Sequence, residues 1–114
     1  MKRILTEFGM GSSLRQRDYT RAAKRALRDA LWHNSINVVA PFGLEREAMI
    51  IKAQIAVQDP DTVDTDELAK VFPYGAVTVS ATKGGLDVPK PDGSGVTIIA
   101  NAAISVFLNI KVAS

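Results

Sequence analysis

The segment from residue 18 to residue 34 most constrains the fold, because small apolar residues recur in it at helical spacing. Asp18 can accept hydrogen bonds from the first free N–H groups of a helix that ends near Asn34. The stripe predicted to be buried consists of Ala22, Ala23, Ala26, Leu27, Ala30 and Leu31. Since most of these side chains are methyl groups, we expect the helix to lie close to the layer that it covers, which we take to be a sheet.

A strict alternation between residues 47 and 58 predicts the clearest strand. Met49, Ile51, Ala53, Ile55 and Val57 form one fully apolar face, and the residues between them form a mixed face. This pattern is typical of a sheet that carries helices on one side. The mixed face is expected to meet either solvent or another subunit.

The remaining segments complete an α+β prediction for a single domain, residues 1–114. About four strands form a sheet, and one long and one short helix pack on one of its faces, in the order β-α-β-α-β-β. Asp64 opens the short helix with an acidic first turn, and 96–110 is either one long strand or two. The other predicted segments are strands at 2–8, ended by Gly9, and 76–82, a short extended piece at 36–39 and a polar, mobile loop through 87–95.

Composition narrows the function classes. The chain is 46% hydrophobic and 23% charged, and its net charge of +2 is unevenly distributed. Residues 1–34 carry eight basic and three acidic side chains, whereas 35–114 carry six and nine. No aromatic residues interleave with the basic ones, so nucleic acid is an unlikely partner. Without cysteine, and with His33 as the only histidine, we expect no metal site and no cofactor. The chain shows no signal-peptide pattern, and a cytoplasmic location is expected.

The glycines between the first strand and the basic helix suggest a site for a small anion. Gly9 and Gly11 would let the backbone approach a ligand closely, and Ser12 and Ser13 would supply hydroxyl donors. The positive charge would come from Arg15, Arg17 or Arg21, next to the positive end of the helix dipole. The alternative is structural: the glycines form a tight turn, and the basic side chains form a solvated helix face.

Several short motifs together resemble a conserved family of small single-domain proteins from bacteria and plants that has no established function. The motifs are Gly9-Met10-Gly11, Asp18 with Thr20, Pro73-Tyr74-Gly75, Gly84-Gly85-Leu86 and Asn101-Ala102-Ala103. The resemblance covers nearly the whole chain. The chain departs from the family pattern at Ser13 and Arg15, where an acidic residue and a histidine would be expected.

A fainter resemblance is to one domain of the ring-opening amidohydrolases, the cyanuric acid hydrolase and barbiturase group. It rests on Asp18 to Arg21 and on Val79-Ser80 followed by Gly84-Gly85. The resemblance implies a Ser80 nucleophile with Lys83 or Lys52 as its base. It also implies an oxyanion held by the N–H groups of Gly84 and Gly85, and a trimer that imitates three fused domains. The structural alternative makes Ser80 a strand residue, Lys83 a solvated turn residue and the glycines a turn.

Three functional hypotheses follow. The first is a homo-oligomer, a trimer or a multiple of it, that binds a small anionic or amide-rich ligand near Gly9–Ser13, the helix start and the Ser80–Gly85 turn. The second is a cyclic amide or imide hydrolase, so enzymatic activity is left open. The third is an interaction protein whose basic helix docks on an acidic partner.

Overall fold

The computed structural model describes residues 1–14, 18–33 and 46–109. Five strands and two α-helices follow one another along these ranges, with short 3₁₀ turns at Arg46–Ala48 and Pro60–Thr62. The elements are β1 (Lys2–Ser13), α1 (Tyr19–His33), β2 (Ile50–Val57), α2 (Thr65–Ala69), β3 (Ala76–Lys83), β4 (Leu86–Pro89) and β5 (Val96–Leu108). The predicted α+β class, with both helices against one sheet, is confirmed.

The long strand β5 organises the sheet, whose strand order is β1-β5-β2-β3. β1 runs antiparallel to β5 along almost its whole length. On the other side of β5, β2 pairs with the C-terminal part and β4 with the N-terminal part, both antiparallel. β3 is parallel to β2, and α2 lies in the crossover between them. β1 and β3 are therefore the two outer strands of the main path.

The core lies between the sheet and the helices. The predicted alternation of β2 is confirmed, because Ile51, Ala53, Ile55 and Val57 are buried whereas Lys52 and Gln54 are exposed. The α1 stripe is also buried as predicted, and only Leu31 retains partial exposure. β5 contributes its even-numbered residues, Ile98, Ala100, Ala102, Ile104, Val106 and Leu108.

Two glycines bring α1 unusually close to β1. A Cβ atom on Gly9 would lie 2.9 Å from the Cα atom of Ala30, and one on Gly11 would lie 2.7 Å from the carbonyl carbon of Arg25. Such distances are shorter than real Cβ contacts, so a side chain at either position would push the helix away from the strand. The prediction that Gly9 ends the first strand was wrong, since β1 continues to Ser13. Glycine is a poor strand former locally, but here helix packing requires it.

Both predicted helix starts are confirmed at the level of individual hydrogen bonds. The Arg21 N–H donates to Oδ1 of Asp18 (2.9 Å), and the Glu67 N–H donates to Oδ1 of Asp64 (3.0 Å). β5 is one uninterrupted strand, which decides between the two predicted alternatives.

β4 overlaps the start of the predicted 87–95 loop, and the sequence analysis missed this strand. The predicted extended piece at 36–39 lies outside the described residues.

No described helix covers the second face of the sheet. Side chains alternate between the faces of a strand, so the odd-numbered residues of β5 and their cross-strand partners form this uncovered face, called the open face below. Phe8 and Met10 of β1 lie on it and are 70% and 59% exposed. Leu86 and Val88 of β4 lie on it as well and are also exposed. The face that the sequence predicted to meet either solvent or another subunit therefore exposes several large apolar side chains.

Candidate functional site

The strongest local charge of the described chain lies on the outer side of α1. Arg21, Lys24, Arg25 and Arg28 recur at the i, i+3, i+4, i+7 spacing that places them on one helix face. They line a surface hollow of about 360 Å³, together with Asp18 and Thr20 of the helix start and Glu67 of α2. We call this hollow the basic hollow. Four basic and two acidic residues therefore line the basic hollow.

Two of the four cations are already paired. The Lys24 ammonium lies 2.9 Å from a carboxylate oxygen of Glu67, and this ion pair joins α1 to α2. Nη1 of Arg25 donates to the carbonyl oxygen of Ser12 on β1 (2.7 Å). The Thr20 hydroxyl also has a structural partner, since it accepts the Asp64 N–H at 3.0 Å. These contacts fix the walls of the basic hollow.

Arg21 and Arg28 remain available. Both are exposed, and neither guanidinium forms a hydrogen bond or ion pair with another described residue. Seven residues of α-helix separate them by about 10.5 Å along the axis. A guanidinium binds carboxylate or phosphate oxygens through two parallel hydrogen bonds. The basic hollow therefore offers two free donors of this kind to an anion.

The helix start itself is less available than the sequence analysis predicted. The carboxylate of Asp18 caps α1, so the positive end of the helix already holds an anionic group. Gly9 and Gly11 lie in a strand against α1, and their predicted contact with a ligand stays a prediction. Ser12 is exposed, whereas Ser13 is buried.

Of the three arginines predicted to bind an anion, one lies within the described residues. Arg15 and Arg17 lie outside the described residues. Arg21 is the predicted arginine that the structure places beside the basic hollow.

The structure separates Ser80 from Lys83. Both belong to β3 and are exposed, but they are three residues apart in a strand, so their side chains lie on opposite faces of the sheet. Lys52, the alternative base, is on the same face as Ser80, and both line a hollow of about 280 Å³ on the open face. The Lys52 ammonium lies 5.1 Å from the ring centre of Phe107 in this hollow. Of the two predicted lysines, Lys52 is thus the one placed with Ser80.

The second glycine pair makes a tight strand connection. The Gly84 N–H donates to the carbonyl oxygen of Val57 (2.9 Å), so it is not free to hold an oxyanion as the resemblance implied. Gly85 has φ of +63°, a conformation that favours glycine, and a Cβ there would lie 2.9 Å from the carbonyl oxygen of Ala56. Nε2 of Gln58 donates to the carbonyl oxygens of both glycines (3.0 and 3.2 Å). For Gly84, the alternative in which the glycines form a turn therefore fits better than a role in holding an oxyanion.

A polar pair under the start of α1 was not predicted from the sequence. The Tyr19 hydroxyl donates to Oδ2 of Asp87 on β4, and Tyr19 itself is buried. Oδ1 of Asp87 is buried as well and has no hydrogen-bond partner among the described residues. The two residues are 68 positions apart, so no local pattern could have joined them. The pair holds β4 to the helix.

The described residues also bear on two further features, a metal-binding cluster and a membrane-spanning helix. These residues contain no group of three or more His, Cys, Asp and Glu side chains that could hold a metal ion. None of the helices described is both long and apolar enough to cross a membrane.

The predicted composite site is therefore divided between two regions. The basic hollow lies on the helix side of the sheet, and the Lys52–Ser80 hollow lies on the open face. By fold and surface, the molecule is a two-layer α+β protein with a basic helix face and an open sheet face that carries little charge and several exposed apolar side chains.

The chain belongs to the conserved hypothetical protein family Lin0512_fam, whose model matches residues 3–106. The predicted membership in a small conserved family is confirmed, whereas the similarity to amidohydrolases stays a prediction.

The chain is also similar to a solved structure, an FtsZ-like protein of unknown function from Nostoc punctiforme PCC 73102. The two are 35% identical and superpose with a TM-score of 0.85, over 94% of this chain and 95% of that one. No curated protein matches the chain.

Proposed function

We propose that the protein binds a small anionic ligand in the basic hollow, and that it does so as a homo-oligomer. The observation that carries the binding proposal is the free state of Arg21 and Arg28 among the described residues, on either side of a hollow of about 360 Å³. Lys24 and Arg25 add positive charge while their own contacts hold the walls. This moves the predicted site from the glycine segment to the outer face of α1.

The chemistry of the basic hollow favours a carboxylate or phosphate ligand. Each free guanidinium accommodates two oxygens of one anionic group, and about 10.5 Å along the axis separates the two arginines. A ligand with two anionic groups would therefore engage both. Asp18 and Glu67 also line the basic hollow and reduce its net positive charge.

The test is calorimetric titration of the purified protein with inorganic phosphate, pyrophosphate and citrate. Arg21→Ala is expected to weaken binding by more than tenfold, which corresponds to about 1.4 kcal/mol. Arg28→Ala should weaken the binding of citrate and pyrophosphate more than that of phosphate, because the smaller anion reaches one arginine only.

Arg3→Ala is the matched control, since Arg3 is an exposed arginine of β1 and its loss changes the net charge equally. It should leave the affinity unchanged. Equal affinity in the wild type and in the double variant Arg21→Ala/Arg28→Ala would contradict the proposal. An equal loss in Arg3→Ala would indicate attraction by the overall charge instead, as expected for a protein that docks an acidic partner.

A second candidate, a hydrolase of cyclic amides, is favoured by one observation: Lys52 and Ser80 line the same hollow. In this reaction the serine oxygen would attack the ring carbonyl while the lysine accepts its proton, and the released amide nitrogen would then take that proton. The acyl-serine would be hydrolysed by water. Purified protein should open cyclic imides, and Ser80→Ala and Lys52→Ala should each abolish this, whereas Lys83→Ala should not.

A further inference from the structure

The open face differs in charge from the rest of the chain. Charged residues make up 23% of the sequence. On the open face only Arg3 and Lys52 are charged among the described residues, and neither is acidic. Both lie at the end of the sheet where β5 carries Phe107, since Arg3 pairs with Phe107 and Lys52 with Ser105. The remainder of the face carries no charge.

The uncharged remainder of this face combines polar residues, such as Ser80 and Thr82, with large exposed apolar side chains. Phe8 is 70% exposed, Met10 is 59% exposed and Leu86 is 59% exposed. When one face of a sheet meets water, the residues that point to that face are normally polar. Depletion of charge together with exposed aromatic residues and methionine is the composition that distinguishes the centre of a protein interface. The open face therefore shares two features with protein interfaces, which are few charges and large exposed apolar side chains.

The size of the open face matches what a stable interface needs. At about 3.3 Å per residue and about 4.8 Å between strands, the five strands outline roughly 700 Å². A standard protein interface buries about 800 Å² on each partner. The flat outline of the open face nearly supplies that area, and the accessible surface of its side chains adds to it.

We infer that the open face is an interface between copies of this chain, and that a second copy covers it. A face with almost no charge complements itself, because packing it on a copy separates few ions from water. The ammonium of Lys52 already lies over the ring of Phe107, which lowers the cost of covering it. Closed homo-oligomers are the commonest assemblies of soluble proteins.

Covering the open face also changes its two hollows. The Lys52–Ser80 hollow and a smaller apolar hollow of about 170 Å³, which Phe8, Gln54 and Thr82 line, both open on this face. A second copy would close both from solvent, and the walls would then come from two chains. This inference does not rest on the proposed anion binding, since the basic hollow lies on the other side of the sheet.

The experiment is native mass spectrometry together with size-exclusion chromatography and light scattering of the whole chain at about 50 µM. The wild type is expected to be oligomeric. Phe8→Glu is expected to be monomeric, because it places an uncompensated carboxylate within the interface. Thr82→Glu, at an exposed position of β3 on the same face, should have the same effect.

Lys70→Glu is the control, since it introduces the same residue at an exposed position at the end of α2, outside the basic hollow, and should leave the oligomer intact. Circular dichroism of each variant checks that the fold is kept. A monomeric wild type at this concentration would overturn the inference, and so would an oligomer that survives both Phe8→Glu and Thr82→Glu with the fold unchanged. The inference deepens the homo-oligomer part of the proposed function, and loss of the oligomer in Phe8→Glu and Thr82→Glu, with phosphate binding retained, would support it independently of the proposed anion binding.

Discussion

Asp29 of α1 accepts a hydrogen bond from the backbone N–H of Met10, with 2.9 Å between Oδ2 and N, at the outer edge of β1. One helical turn earlier, Arg25 donates to the carbonyl oxygen of Ser12 on the same edge. An outer strand normally exposes a row of unpaired backbone groups that invite another strand. Because Gly9 and Gly11 let α1 lie directly on β1, two side chains of the helix reach over this edge and occupy part of it.

Asp29 and Arg25 thus occupy backbone groups at the β1 edge. We predict that removing both side chains makes this edge prone to pairing with a strand of another molecule. The double variant Arg25→Ala/Asp29→Ala should aggregate faster than the wild type on gentle heating, measured by light scattering. The matched control is Lys24→Ala/Asp66→Ala, which also removes one basic and one acidic residue but leaves the edge capped. Equal aggregation rates in the two double variants would contradict the idea that Arg25 and Asp29 protect the β1 edge.

The close contact between α1 and β1 predicts a large loss of stability when Gly9 acquires a side chain. Gly9→Ala places a methyl group against the backbone of Ala26 and Ala30, which cannot move without displacing the helix. We expect the free energy of unfolding to fall by about 3 kcal/mol or more, the upper range for overpacked cores, as measured by urea denaturation.

Gly93→Ala is the comparison for this substitution. Gly93 has φ of +73°, but a Cβ there would meet no atom within 4 Å. Its loss should be about 1 kcal/mol, from backbone conformation alone. A Gly9→Ala variant no less stable than Gly93→Ala would show that the helix does not lie as close as described.

The elements that could be predicted from the sequence are those with a local cause. The period of two in β2 and the alanine stripe of α1 each contain their own evidence, and Asp18 and Asp64 cap helices that begin next to them. The extension of β1 through Gly9 and Gly11 could not be predicted in this way. Its cause is a helix that packs across the strand.

The candidate site likewise combines features with a local cause in the sequence and features that depend on distant residues. The spacing of the four cations on α1 was visible in the sequence, but the ion pair of Lys24 with Glu67, 43 residues away, was not. The separation of Ser80 from Lys83 follows from strand alternation alone and could have been recognised. The use of the Gly84 N–H by Val57 depends on the parallel pairing of β2 with β3, which no local pattern specifies.

The hydrogen bond between buried Tyr19 and half-buried Asp87 predicts a coupled stability effect. Tyr19→Phe removes the hydroxyl that donates to Oδ2 of Asp87, and the other carboxylate oxygen already lacks a partner among the described residues. We expect a loss of about 2 kcal/mol in urea denaturation, the usual cost of leaving a buried polar group unsatisfied.

A double-mutant cycle tests whether this loss arises from the pair. In the background Asp87→Ala, the further change Tyr19→Phe should cost much less than in the wild type, because the carboxylate that needed the hydroxyl is absent. Additive losses in the cycle would show that the hydroxyl acts through another contact.

The turn between β4 and β5 gives a prediction on pH. Hydrogen bonds from the side chain and the backbone of Ser94 hold the pKa of Asp92 below the ordinary value of 3.8. A carboxyl whose pKa is lower in the folded state stabilises that state above the ordinary pKa, and the contribution is lost as the pH falls through the folded value. Ser94→Ala removes the hydroxyl donor and keeps the backbone one, so the pKa of Asp92 should rise towards 3.8. An NMR titration of the Asp92 carboxyl carbon measures both values, and an unchanged midpoint in Ser94→Ala would show that the hydroxyl contributes nothing.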